Sequence, residues 1–371
     1  FKLARAWGRP QGRTEIVSMN NSFHGRSMGA LSCTAQGKYQ DPFKPLVPGC
    51  KAAVFGDMES LERQVNGKTA AVIIEPIQGE GGVNFGPDGY LKELRRFCDK
   101  NGILLIFDEV QTGMGRTGNM FAYQTFGVEP DVMTLSKGLG AGFPVGCCVT
   151  GEKYSGVLKP GMHASTFGGS PLAARAVCAV FDILEEDKVL ANVRRREGEL
   201  ARRLGRLAQA HPVVREVRGV GLMWAVELHK PARPVYDALM KKKMIANVTH
   251  DTVMRVMPAL NIDDAAFERG LSTLEKTITE MESSLIFEKA DRIRRDPRCF
   301  GPILKGKTIG LLFEKPSLRT RVSFEVGINN LSGRPLYMSA SEVQLGKREA
   351  VRDVARIVAG YLDGIIIRTF G

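Results

Sequence analysis

ILLIFDEVQTGMGRTGNMFAYQTFGVEPDVMTLSK, residues 103–137, contains two short apolar runs that each end in charged side chains. The first run, Ile103–Phe107, is too short for a typical helix and is followed directly by Asp108, so it predicts a buried parallel strand. The second, Asp131–Ser136, leads directly into Lys137 and a glycine-rich turn. Open α/β sheets bind ligands beyond the carboxyl ends of their strands. We therefore expect Asp108 and Lys137 to meet in one cleft, where a desolvated lysine can lose its proton and attack a carbonyl. A structural ion pair at a strand edge is the alternative.

On both sides of this stretch, short apolar strands alternate with helical patterns, which predicts a mostly parallel sheet with helices on both faces. The strands are predicted at Ile16–Ser18, Ala70–Glu75, Ile103–Phe107, Asp131–Ser136 and Gly146–Thr150. We place a large α/β domain at 1–185 and a smaller α+β domain at 186–284. Ser283-Ser284 is predicted as a polar joint between two helices, and 285–371 as a third, partial α/β domain with a new strand at Thr308–Glu314.

Composition narrows the function classes. The chain has 371 residues, 43% of them hydrophobic and 25% charged, which is typical of globular proteins. A net charge of +12 would permit nucleic-acid binding, but the basic residues are dispersed without interleaved aromatics, so we predict no nucleic-acid partner. No apolar run is long enough to predict a membrane span. Seven cysteines without a C-x-x-C pair favour reduced thiols in the cytoplasm, and the histidines lack metal-ligand spacing, so no metal is predicted.

A glycine motif inside the opening stretch invites a nucleotide-binding interpretation, which we reject. Gly113–Gly118 matches G-x-G-x-x-G, but it does not tightly join a strand to a helix. The fingerprint also requires an acidic residue about twenty positions on, and Glu129 and Asp131 lie too close.

Six motifs, in one order and spacing, carry a family resemblance. They are Ser22-Phe23-His24-Gly25-Arg26, Glu75–Gly82, Asp108–Gly113, Leu135–Gly138, Ser165–Gly169 and Met254–Val256. Together they resemble the class III pyridoxal-phosphate aminotransferases of fold type I, and among these the acetylornithine aminotransferases most of all. The resemblance implies a large domain with a mostly parallel, seven-stranded-type sheet, followed by a small α+β domain.

The resemblance also implies roles around pyridoxal 5'-phosphate. Lys137 would form the Schiff base with the cofactor and move a proton once the substrate amine frees it, while Asp108 would keep the pyridine nitrogen protonated. The other implied cofactor contacts are Phe23, His24, Gln111, Ser165 and Thr166. Phe23 would stack on the ring, Gln111 would face the phenolic oxygen, and Thr166 would hold the phosphate of a partner subunit. A homodimer with shared sites follows.

Two arginines and one acid suit substrates that carry carboxylates. Arg26 would clamp the α-carboxylate of the amino donor, and Arg255 that of glutamate or 2-oxoglutarate. Glu80 would pair with Arg255 while the donor is bound and swing away for the acid. The implied reaction is a ping-pong transfer of the δ-amino group of N-acetylornithine to 2-oxoglutarate, a step of arginine biosynthesis. Ornithine, succinyl-ornithine and other ω-amines are the alternative donors.

Residues 285–371 contain a second set of motifs: Phe313–Arg321, which follows a predicted strand and opens a helix, Gln344–Glu349, and Ile367–Phe370. Hydroxyl and guanidinium groups at a helix N-terminus form a phosphate cradle. This segment resembles the carbamoyl-phosphate half of ornithine carbamoyltransferase, with Leu318 where that family usually has Thr. The residues that would hold carbamoyl phosphate are Ser317, Leu318, Arg319, Thr320, Gln344 and Arg368. Gln344 would reach in from a neighbouring subunit of a trimer.

Both resemblances are partial, which leaves two further alternatives. The chain begins at Phe1 without the phosphate-binding turn expected upstream, and it has no ornithine-binding domain after 371. We therefore expect a piece of two adjacent arginine-pathway enzymes joined at about Ser284. Its activity would then be transamination, carbamoyl transfer to ornithine by the C-terminal segment, or neither if the truncated chain is catalytically incomplete.

Overall fold

The computed structural model describes residues 1–296, 301–313, 317–339, 343 and 351–368. They belong to two compact units, Phe1–Thr279 and Glu280–Gly371. The first unit holds a six-stranded sheet and a four-stranded sheet, and the second holds a three-stranded sheet. Among the helices that the structure describes, none combines the length and the apolar character needed to cross a membrane.

The six-stranded sheet organises the first unit. Its strands are β1 (Glu15–Met19), β2 (Cys50–Ala53), β3 (Thr69–Ile74), β4 (Leu104–Asp108), β5 (Val132–Leu135) and β6 (Cys147–Thr150). Their order is β2-β1-β3-β4-β5-β6, and every neighbouring pair is parallel except β5 and β6. The five predicted strands are present within about one residue of their predicted ends. The family resemblance implies a seven-stranded-type sheet, whereas the described residues form a sheet of six strands.

Helices cover both faces of this sheet. They are α1 (Lys2–Gly8), α2 (Met28–Cys33), α3 (Gly37–Gln40), α4 (Met58–Gln64), α5 (Tyr90–Asn101), α6 (Ala122–Phe126), α7 (Glu152–Ser155) and α8 (Pro171–Glu186). Successive residues of β4 enter two different cores: Leu105 and Phe107 pack with Leu94 of α5, whereas Leu104 and Ile106 pack with Leu3 of α1. Because both faces are buried, the strand is apolar throughout rather than alternating.

The four-stranded sheet is antiparallel, with order β7-β8-β10-β9. The elements of this part are α9 (Val189–Ala210), β7 (Val214–Val220), β8 (Met223–Leu228), α10 (Arg233–Lys241), β9 (Asn247–Thr249), β10 (Val253–Val256) and α11 (Asp264–Arg295). The predicted joint at Ser283-Ser284 is wrong, because both serines lie inside α11. Neither residue breaks a helix as Pro does, and serine lowers helix propensity only modestly.

In the part of the second unit that the structure describes, three parallel strands alternate with two helices. The elements are β11 (Thr308–Phe313), α12 (Leu318–Asn330), β12 (Arg334–Ser339), α13 (Val351–Ala359) and β13 (Gly364–Arg368). The sheet order is β12-β11-β13. Its core contains Leu311, Phe313 and Ile328. Glu314, predicted as the last residue of β11, lies outside the described residues.

Candidate active site

Four parallel strands of the first unit end at the same edge of the sheet, and their carboxyl ends carry the candidate site. Asp108 is the last residue of β4, and Lys137 follows β5 after one intervening residue. Glu75 follows β3 directly, and the segment after β1 contains Ser22–Arg26. This edge is where open α/β sheets place ligands, so the fold brings distant motifs together.

Asp108 is held by a buried histidine. His24 Nδ1 lies 2.7 Å from Asp108 Oδ2, and the two side chains are 1% and 6% exposed. The other carboxylate oxygen, Oδ1, accepts the N–H of Val110 at 3.1 Å. Burial opposes protonation of His24, but the hydrogen bond and the charge of Asp108 outweigh it, so the pKa of His24 is raised. The same hydrogen bond fixes the position of the Asp108 carboxyl group in the site.

Glu75 is a residue of the site that our sequence analysis did not single out. Its carboxylate is buried and accepts the N–H groups of Phe23, at 2.9 Å, and of Gly79, at 3.2 Å. It thus joins the segment after β1 to the segment after β3. Burial raises the pKa of Glu75 to about 7. A carboxylate directly after a fully buried strand was the signal that could have identified it.

Lys137 lies where opposing charges meet. Its backbone has φ +42°, and the preceding Ser136 donates through Oγ to the carbonyl of Val145 at 2.8 Å. The lysine is exposed in the single chain, yet partial desolvation of its amine by surrounding protein lowers its pKa. Glu80 and Asp108 act in the opposite direction, and Arg255 acts with desolvation. The amine is thereby brought nearer to its neutral, nucleophilic form.

Glu80 and Arg255 form an ion pair beside this lysine. Arg255 Nη1 lies 3.0 Å from Glu80 Oε1, and the arginine side chain is only 9% exposed. The amide of Gln111 bridges the pair, accepting from Arg255 Nη1 and donating to Glu80 Oε1, each at 3.3 Å. On the far side, Asn247 Oδ1 accepts from Arg255 Nε at 2.7 Å. Among the described hydrogen bonds, the Gln111 side chain contacts the two substrate candidates, Glu80 and Arg255, and no other cofactor candidate.

Phe23 and Arg26 share an aromatic cluster with Tyr39. The guanidinium carbon of Arg26 lies 4.2 Å from the centroid of the Tyr39 ring and 5.6 Å from that of Phe23. The two rings meet edge to face at 5.7 Å. This cation–π contact orients an otherwise exposed arginine.

Two of the predicted cofactor residues lie in a different, exposed part of the first unit. Ser165 and Thr166 belong to an exposed segment between β6 and α8. Among the described residues, no hydrogen bond joins either of them to Asp108 or Lys137.

In the second unit, three of the predicted carbamoyl-phosphate residues are in contact. Ser317 Oγ and Thr320 Oγ1 are 3.0 Å apart, and Arg368 Nη1 donates to Thr320 Oγ1 at 3.0 Å. Leu318 and Arg319 are exposed at the start of α12. Gln344 lies outside the described residues.

Comparison with known proteins adds independent findings. Residues 1–278 match the family model "Aminotransferase class-III", and residues 271–371 match "Aspartate/ornithine carbamoyltransferase, carbamoyl-P binding domain". The chain is 42% identical over 284 residues to the acetylornithine aminotransferase of Methanocaldococcus jannaschii, covering 76% of this chain and 70% of the relative.

Two solved structures share the fold of the first unit. The ornithine aminotransferase of Toxoplasma gondii ME49 superposes with a TM-score of 0.73 at 33% identity, covering 76% of this chain and 70% of that one. A pyridoxal-phosphate-bound amine transaminase from an uncultivated Pseudomonas species gives a TM-score of 0.70 at 30% identity, covering 75% and 73%. The fold-type-I prediction is confirmed.

Proposed function

Because the chain belongs to the class-III aminotransferase family, we propose that it transfers the δ-amino group of N-acetylornithine to 2-oxoglutarate, in two half-reactions at one site. The observation that carries this proposal is the Glu80–Arg255 ion pair beside Lys137. A paired arginine presents a nearly neutral surface to the δ-amino end of the donor, which carries no carboxylate. The same arginine, released by Glu80, presents a guanidinium fork to the second carboxylate-bearing substrate.

The residues present fit pyridoxal 5'-phosphate, the cofactor of this family. The carboxyl group of Asp108, an amine of lowered pKa and an aromatic ring lie at the carboxyl ends of neighbouring strands, a set of groups that suits the ring and the carbonyl of this cofactor. When bound, the cofactor supplies a carbonyl group and an electron-withdrawing ring. Asp108, held by His24, would keep a proton on the ring nitrogen, and Phe23 would cover one face.

Each of the chain's own side chains then has a separate role in the reaction. Arg26 binds the α-carboxylate of the donor, positioned by Tyr39. Lys137 Nζ would take the proton from the donor carbon that bears the amine in the first half-reaction, and would deliver a proton to the carbon that receives the amine in the second. Because Glu80 and Gln111 hold Arg255 until an acidic substrate arrives, the order of the two substrates is set by charge. Ser165 and Thr166 would complete the phosphate site of a second copy in a cytoplasmic homodimer, which we propose as the working state.

The test begins with cofactor loading. The purified chain is mixed with pyridoxal phosphate, its visible spectrum is recorded, and the adduct is reduced with borohydride and mapped. We expect the pyridoxyl group on Lys137, and bleaching of the absorbance band by N-acetylornithine and by glutamate. Faster bleaching by ornithine or succinyl-ornithine would replace the proposed donor. Labelling at other lysines only would identify a catalytically incomplete chain.

The contacts of Ser317, Thr320 and Arg368 support a second candidate function, binding of carbamoyl phosphate by the second unit. Two hydroxyls and a guanidinium group at the start of a helix suit a phosphate dianion. Calorimetric titration with carbamoyl phosphate tests this candidate, and carbamoyl transfer to added ornithine tests the corresponding activity.

A further inference from the structure

The segment that carries Glu80 has an unfavourable backbone conformation. Gly82 has φ +116° and Val83 has φ +54°, and Val83 is fully buried. A β-branched residue rarely adopts the left-handed region, so the surrounding structure must hold it there. Gln78 and Asn84 close this turn with two main-chain hydrogen bonds of 3.0 and 3.1 Å.

One arginine from a different sheet holds this turn. Arg218 of β7 donates from Nε to the carbonyl of Val83 at 3.0 Å and from Nη2 to the carbonyl of Gly82 at 2.6 Å. Nη2 also lies 3.3 Å from Asn84 Oδ1. The guanidinium thus binds three consecutive residues in their strained conformation.

Arg218 is itself fixed by carboxylates of its own sheet. Nη1 donates to Glu227 Oε2 on β8 at 2.6 Å and to Glu216 Oε2 on β7 at 3.0 Å. Since a guanidinium has five N–H groups, all of them have acceptors here. The side chain is 15% exposed, which limits its freedom to leave.

The same sheet also contacts both members of the Glu80–Arg255 ion pair. Thr249 Oγ1 of β9 donates to the carbonyl of Glu80 at 2.5 Å, and Arg255 lies on β10, paired with β9. The main chain of Glu80 is therefore anchored to the sheet that presents its partner. The part of Glu80 that can move relative to Arg255 is therefore its side-chain carboxylate.

We propose that Arg218 is a positioning residue that sets substrate order: it holds the turn Gly82–Asn84 so that Glu80 stays within reach of Arg255. This inference rests on the proposed function. Glu80 competes with a substrate carboxylate for Arg255, so loosening the turn weakens the competitor. Loss of Arg218 therefore favours the acidic substrate over the donor, whereas a merely structural defect would impair both.

The decisive variant is Arg218→Lys, which keeps the charge but cannot bind several acceptors with one planar fork. We expect the ratio of kcat/KM for glutamate to kcat/KM for N-acetylornithine to rise about tenfold, the equivalent of one charge-assisted hydrogen bond. Arg215→Lys is the matched control. Arg215 lies on the same strand and pairs with the same Glu227 at 2.9 Å, but it is exposed and makes no described hydrogen bond to the turn.

A second measurement needs no turnover. Hydrogen–deuterium exchange of the amides of residues 79–84 should be faster in Arg218→Lys than in the wild type and unchanged in Arg215→Lys. Unchanged exchange, or an equal fall in both kcat/KM values, overturns the inference. A wild type that converts neither substrate overturns the proposed function instead, while the exchange result still decides the role of Arg218.

If Arg218→Lys does not fold, Asn84→Ala removes one of its three turn contacts, together with the hydrogen bonds that Asn84 Nδ2 donates to Gly81 and Gln78. Asn84→Asp, which keeps an acceptor for Arg218 but loses both Nδ2 bonds, is its control. The same ratio should then rise by a smaller factor in Asn84→Ala. An unchanged ratio in that variant contradicts the inference.

Discussion

At Lys137, desolvation and the charge of Arg255 lower the pKa of the amine, whereas the charges of Glu80 and Asp108 raise it. The negative charge of Glu80 is the largest of the groups that raise its pKa, and Arg255 lowers it. Glu80→Gln removes the charge that raises the pKa of Lys137 and leaves Arg255, which lowers it. The pKa of Lys137 should therefore fall further. Competitive labelling with acetic anhydride between pH 7 and 10 measures this pKa. The labelling profile of the exposed Lys92 serves as the internal control, and an unchanged or higher pKa of Lys137 in Glu80→Gln would contradict the arrangement of charges described here.

Glu75 makes the stability of the fold depend on pH. Its pKa in the folded chain is about 7, against an ordinary value of 4.5, so the folded state binds the extra proton. The stabilisation of the folded state by this extra proton is fully present below about pH 4.5 and is lost as the pH rises to about 7. Glu109, whose pKa burial also raises to about 7, acts in the same direction.

Replacing Glu75 by Gln should therefore flatten the pH dependence of stability between pH 4.5 and 7. The slope removed is at most about 1.4 kcal/mol per pH unit, which corresponds to one proton. Urea unfolding at several pH values measures it, with Glu59→Gln as the exposed control. An identical slope in Glu75→Gln and wild type would show that this carboxyl is not the protonated group.

At the scale of elements, the turn after β3 packs closely on the segment after β4 at Gly79. A Cβ atom there would overlap the Gln111 amide, which bridges Glu80 and Arg255. Gly79→Ala should displace that amide and lower kcat/KM for 2-oxoglutarate by about tenfold, consistent with overpacking costs of about 1–3 kcal/mol.

A double-mutant cycle isolates this contact. In a Gln111→Ala background the overlap is gone, so adding Gly79→Ala should have a much smaller effect. Gly67→Ala is the control, since a Cβ atom there meets nothing within 4 Å. Equal effects of Gly79→Ala in both backgrounds would exclude the Gln111 explanation.

The individual strands show which parts of the fold could be predicted from sequence patterns and which could not. β3 and β4 were predictable because both faces are buried and the residues are apolar throughout. β2 was not, because Cys50–Ala53 is a short edge strand of only four residues with a lysine in it. β9, with three residues, gave no pattern either. Candidate side chains within the quoted motifs could be named from the sequence, and the position of Glu75 directly after the buried β3 was a signal that could have identified it as well. Arg218 acts on main-chain groups of a distant segment, which no local pattern reveals.

At the scale of the whole molecule, the two units carry separate candidate sites. Arg368→Met should abolish binding of carbamoyl phosphate, because it removes the only charged side chain among the described contacts of Thr320. Loading of Lys137 with pyridoxal phosphate should be unchanged. Calorimetry and borohydride mapping on the same preparation measure both. Carbamoyl-phosphate binding that survives Arg368→Met would place that site elsewhere.

The most direct test of the central claim follows the amino group itself. The cofactor-loaded chain is supplied with N-acetylornithine carrying nitrogen-15 at the δ position, together with 2-oxoglutarate, and the glutamate formed is examined by mass spectrometry. We expect labelled glutamate from the wild type and none from Lys137→Ala. A wild-type chain that carries the cofactor on Lys137 yet forms no labelled glutamate would contradict the proposed reaction.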